Sequence, residues 1–203
     1  MSKDTLAPFV LRPHDSVGTW ESNDIRYCDY ARELLKQLEE LAAEIHEKWP
    51  KDVTAITDET KYPELWNLTR IRDRTSDTTR IYAAMAVEGF LNFYGVLRLG
   101  QKVFDNHFER LGPIQKLQRL ILISESIVIT QQHLLVKTLE SIAKDRNSLM
   151  HPKALEKIDG SEKTSTKIPD VAKKSIENME SFFREFAIAV PAMQIHMNSR
   201  SET

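Results

Sequence analysis

The chain has 203 residues, 41% hydrophobic and 29% charged, with a net charge of −2 and a pI near 6.3. That is enough chain for a sizeable core in ordinary globular proportions, and the acidity argues against a general nucleic-acid coat while leaving room for a local basic site. Cys28 is alone, so a disulfide framework or a cysteine metal site within one chain is excluded; with no apolar leader after Met1 and no run of membrane-spanning length, a reducing cytoplasm is the simplest home.

Residues 1–21 show no periodicity, and Pro8, Pro13 and Gly18 mark them as an irregular arm. A helix is predicted from Ser22 or Asn23 to Pro50: Tyr27, Ala31, Leu34, Leu35, Leu38, Leu41, Ile45 and Trp49 form one apolar stripe, and acidic residues fill the other face. Residues 51–75 read as a loop or short-helix region. Arg70, Arg72, Arg74 and Arg80 make its end the most basic stretch of the chain, suited to RNA phosphates or to a solvated face paired with Asp73 and Asp77. Thr75 or Ser76 fits an N-cap. The run 77–99 is apolar nearly all round and belongs at the centre of a bundle, with Glu88 and Asn92 as its polar exceptions one turn apart. A buried carboxylate there needs a partner, and Arg146 is a candidate.

Further along, residues 101–111 predict a short helix ended by Gly112-Pro113, followed by a helix from Pro113 through Ile127. The next helix, Gln131 to Met150, ends at Pro152. Residues 153–169 form a polar loop to which Lys153 and Lys157 lend positive charge, and Asp170 is read as the cap of a last helix with Val171, Ile176, Met179, Phe182, Phe183, Phe186 and Val190 inward. Residues 197–203 read as a disordered tail. The whole is expected to be one domain over 1–203: an all-α antiparallel bundle of about five to six helices. The six histidines are scattered, and no metal site or cofactor motif is expected.

The chemistry concentrates at Arg146-Asn147-Ser148-Leu149-Met150-His151. Asn147 and His151 are one helical turn apart, whereas Arg146 and His151 lie roughly 140° apart on an ideal helix. Pro152 disfavours the α conformation at His151 and turns the imidazole off the helix end. With 13 Arg and 6 His in the chain, Arg-x4-His would arise about 0.4 times by chance; the added Asn brings this to about 0.01. The same residues also fit a plain helix C-cap that bonds free carbonyls.

This hexapeptide resembles the Arg-polar-x3-His motif of the HEPN superfamily (higher eukaryotes and prokaryotes nucleotide-binding). The stretches Ala83-Ala84-Met85-Ala86-Val87-Glu88-Gly89-Phe90-Leu91-Asn92 and Pro113-Ile114-Gln115-Lys116-Leu117 are similar to bacterial members, and the likeness spans about residues 76–190. Toxins of one branch carry Tyr two residues after the His, where this chain has Lys153. The resemblance implies a homodimer whose two motifs meet across a cleft, and a metal-independent endoribonuclease acting as a bacterial toxin or anti-phage effector. Arg146, Asn147 and His151 would then be catalytic, Glu88 and Asn92 supporting, and Lys153, Arg70, Arg72, Arg74 and Arg80 RNA contacts. RNA and an antitoxin or regulatory protein would be the partners, with no cofactor and no membrane. Degenerate members keep the fold and bind RNA, nucleotide or protein without cleaving, which is the alternative expectation here.

Overall fold

A computed structural model describes residues 23–51, 59–150 and 162–193. The N-terminal arm, the tail, His151, Lys153, Lys157 and the first part of the expected loop after Pro152 lie outside the described residues. The described chain folds into six α-helices and no strand, an all-α bundle as the periodicity predicts: α1 Asp24–Lys48, α2 Pro63–Leu99, α3 Gln101–His107, α4 Pro113–Glu125, α5 Leu134–Met150 and α6 Glu162–Ala189, with a short 3₁₀ turn at Pro191–Met193. None of these helices is long and apolar enough to cross a membrane.

Helix α2 is the central rod and packs against each of the other five. At 37 residues it is about 55 Å long. It begins well before the expected start near residue 77. Pro63 occupies its first turn, where a missing N–H costs nothing. Thr75, Thr78 and Thr79 do not cap a helix; their hydroxyls donate to the carbonyls of Ile71, Arg74 and Thr75, one turn back. Residues that suit a cap are thus satisfied inside the helix.

Lys48 at the end of α1 meets Glu64 at the start of α2, and Asp24 at the start of α1 lies against Gly89 late in α2, so the two helices run antiparallel. Helices α5 and α6 are also antiparallel, with Ser175 near Asp145 and Asn178 near Ser141. By contrast α2 and α6 run the same way, from Ser76 beside Ile168 to Tyr94 beside Phe186, because three helices intervene and carry the chain back.

Between α2 and α6 sits an aromatic cluster of Phe90, Tyr94, Phe182, Phe183 and Phe186, all fully buried. The Phe90 and Phe186 rings meet edge to face at 4.8 Å between centroids, a preferred arrangement. A smaller cluster of Ile45 and Leu65, flanked by Trp49, Tyr62 and Trp66, closes the α1–α2 end.

Further boundaries differ from expectation: α3 ends at His107, short of residue 111, α5 begins at Leu134 rather than Gln131, and α4 and α6 shift as well. Helix α4 stops at Glu125, because Ser126 turns left-handed (φ 57°) and the following segment folds back until the Ile129 carbonyl accepts from the Gln118 amide. The β-branched run after Ser126 is therefore not helical. Helix α6 starts at Glu162, with Asp170 inside it rather than capping it, and Val171, expected inward, is exposed. Pro169 sits within the helix: its fixed φ fits, and the lost N–H bond to the carbonyl of residue 165 is the local cost.

Candidate functional site

The end of α5 is fastened to its neighbours by consecutive residues of opposite charge. Asp145 accepts from Arg80 of α2, with Nε at 3.0 and 3.1 Å from its two oxygens and Nη2 closer still. It also accepts from the Ser175 hydroxyl of α6 at 2.5 Å. Burial acts against the Arg80 charge, but Asp145, helped by Asp77, outweighs it and holds the guanidinium pKa above its ordinary value. The next residue, Arg146, reaches the other way along α2 and donates through Nη1 to Glu88 Oε2 at 2.5 Å. Asn147 Oδ1 accepts from the same guanidinium, at 3.4 Å from Nε and 3.2 Å from Nη2.

Arg146 therefore has a fixed direction without being sealed in. Its side chain is 28% exposed, and Glu88, at 39%, is less buried than the apolar run around it suggests. Together they border a shallow groove whose floor is Ala84, Val87, Leu139, Ile142 and Ala143, with Pro113 of α4 at its edge. Ala84 and Ala143 are small residues where α2 and α5 face each other, which lets the helices approach closely there.

Of the residues singled out from sequence, the fold brings Arg146, Asn147 and Glu88 together, including the expected Arg146–Glu88 pair. Asn92, one turn further along α2, accepts instead from Lys116 of α4 at 2.7 Å. The basic stretch separates. Arg72 is buried and bonded to Asp73, and Arg80 belongs to Asp145 and Asp77, so neither offers an open cation for phosphate. Arg70 and Arg74 are the two that stay exposed. His151 and Lys153 lie outside the described residues.

Sequence reasoning missed two contributors. Asp145 sits beside the motif, and only the fold shows that it meets Arg80 and Ser175. Lys116 occupies the apolar stripe of α4 with Leu117, Leu120 and Ile121, a spacing that placed it inward from the start. Burial lowers its pKa, partly offset by Glu88 and Glu109. Among the described residues no group of three or more His, Cys, Asp or Glu side chains could hold a metal ion.

Fold and site together define an all-α bundle whose fifth helix ends in a guanidinium held at a groove by a carboxylate of the central helix. Comparison with family models, with curated proteins and with solved structures finds no match for this chain.

Proposed function

We propose that the chain is a metal-independent endoribonuclease of the HEPN type, acting as a homodimer in which two Arg146–His151 motifs face one cleft. The observation that carries this reading is the partly exposed Arg146 guanidinium, oriented by Glu88 and Asn147 at the edge of a groove. A planar fork held on one side leaves N–H groups for a phosphate on the other. In the reaction, the ribose 2′-oxygen bonds to its own phosphorus as its proton passes to one His151. The P–O5′ bond breaks, and the leaving oxygen takes a proton from the partner copy's His151. Arg146 stabilises the charge that builds on the phosphoryl oxygens. DNA lacks the nucleophile. A toxin or anti-phage role, with an antitoxin or regulatory protein as restraint, belongs to the same reading.

The test is cleavage of a mixed RNA pool in EDTA by wild type, His151→Ala and Arg146→Ala, each checked for folding and dimer formation. Wild-type cleavage leaving 2′,3′-cyclic phosphate ends, lost in both variants, supports the reading; equal cleavage by all three refutes the assignment.

One observation favours a second reading, a non-catalytic HEPN-like domain that binds RNA, nucleotide or protein. The Arg146–Glu88 pair joins α5 to α2 and serves as a structural clasp even without substrate. On that reading Arg146→Ala lowers stability, and the wild type binds without cutting.

A further inference from the structure

The α4 face that meets α2 carries a charge with no part in the chemistry above. Lys116 is 3% exposed and lies one turn beyond Pro113, which edges the groove with Glu88 and Arg146. Its ammonium donates to Asn92 Oδ1 at 2.7 Å and stands 5.5 Å from the centroid of the Phe104 ring. Asn92 is one turn from Glu88 on α2. Glu88 thus has Arg146 of α5 in direct contact, while Lys116 of α4 is bonded one turn further along α2, at Asn92.

A buried ammonium is costly unless opposite charge lies near. Asn92 offers only a dipole, and Phe104 only the face of a ring. The carboxylates that favour the charged form of Lys116 are Glu88 and Glu109. Glu88 and Arg146 alone sum to zero, which is a poor start for holding an anion. Lys116 adds a positive charge beside that neutral pair, and the opposing Glu109 is exposed, where solvent screens it.

We propose that Lys116 is a positioning residue of the Arg146 site: it shares the Glu88 carboxylate and so leaves the guanidinium attractive to a phosphate anion. This rests on reading Arg146 as a phosphate contact. Lys116 acts through Glu88 and does not itself touch the substrate.

The test is a charge-compensation cycle in the full chain: wild type, Lys116→Met, Glu88→Gln and the double variant, each checked for folding. The probe is a mixed-sequence 2′-O-methyl RNA oligonucleotide, which cannot be cleaved, at low salt. Lys116→Met should weaken binding about 3- to 10-fold, and Glu88→Gln in the same chain should return it to within about twofold of wild type. Unchanged binding in Lys116→Met, or no recovery in the double variant, would overturn the proposal. Lys116→Gln keeps a donor for Asn92 without the charge, so full binding by that variant would show a merely structural role and overturn it too.

A wild type that binds no oligonucleotide sinks the RNA reading, and the shared carboxylate is then decided separately. In Glu88→Gln the Lys116 Cε resonance, followed by NMR, should titrate at lower pH than in wild type, whatever the ligand. An unmoved midpoint overturns the proposal.

Discussion

Two glycines of the central helix should respond to the same substitution with opposite signs. By helix propensity alone, Gly→Ala inside α2 stabilises by about 1 kcal/mol. At Gly95 that gain meets a collision. A methyl group built there lies 2.4 Å from two carbons of the Phe104 ring and 3.2 Å from a Leu120 methyl. Phe104 is not a flexible tip that can swing aside. It is 3% exposed, nearly parallel to Phe108 at 6.3 Å between centroids, and lies beneath the Lys116 ammonium. Restoring normal contact moves the ring by more than about 1 Å, an overpacking of roughly 2–3 kcal/mol. The net expectation for Gly95→Ala is a loss of about 1–2 kcal/mol. At Gly89 the nearest atoms belong to Asp24, at 3.6 and 3.7 Å, which is ordinary contact. Gly89→Ala should therefore be neutral or stabilise by up to about 1 kcal/mol. Urea unfolding followed by circular dichroism measures both, with the midpoint falling for one and holding or rising for the other. If Gly95→Ala matches or exceeds wild type, α3 does not press on α2 as described.

Asp145→Ala should cost about 2–3 kcal/mol in the same assay. It leaves Arg80, 13% exposed, without its main partner and leaves the Ser175 hydroxyl only its longer bond to the Val171 carbonyl, while the 22% exposure of Asp145 keeps the loss below that of a fully buried pair. Replacing Arg80 by Leu as well should recover part of it. Tyr94→Phe removes a 2.6 Å bond to Glu125 and should cost about 1–2 kcal/mol at neutral pH. Burial first, and the Glu125 hydrogen bond second, hold the Tyr94 pKa above its ordinary 10.0. The folded state then keeps a proton that the unfolded chain releases, so the wild-type advantage is full below pH 10 and shrinks above it; an advantage that grew with pH would contradict this. For Lys116 the sign reverses. Burial lowers its pKa below the ordinary 10.5, so the unfolded chain binds more protons in the window beneath that value. Wild-type stability relative to Lys116→Met should rise across that window as pH climbs towards 10.5, and urea titrations at several alkaline pH values check it.

Periodicity made the bundle legible. The stripe from Tyr27 to Trp49 and the inward set Phe182, Phe183 and Phe186 are the faces that α1 and α6 bury. Boundaries were less legible where one residue type serves two ends. Thr75 and Ser76 suit a cap, yet in α2 the Thr75 hydroxyl bonds back one turn and the Ser76 hydroxyl reaches the Ile168 carbonyl of α6. Asp170 looks like a cap and lies inside α6, because Pro169 does not stop that helix. Within the site, Arg146 and Glu88 could be paired from sequence, since a carboxylate on an apolar face needs a cation. The partners of Arg72 and Arg80 could be guessed in part from Asp73 and Asp77. Asp145 could not, because a contact 65 residues apart depends on how α5 crosses α2.

That crossing carries its own proofreading. Arg80 and Glu88 present α2 as a plus and a minus two turns apart, and α5 answers with Asp145 and Arg146, minus then plus. An α5 displaced towards Glu88 would set carboxylate against carboxylate, and one displaced the other way would set guanidinium against guanidinium. Apolar floors such as Val87, Leu139 and Ile142 tolerate sliding, since one aliphatic surface resembles the next. Alternating charges do not, because each wrong alignment is repulsive as well as unrewarded. The four residues act as an address that favours one alignment of α5 on α2 over its neighbours.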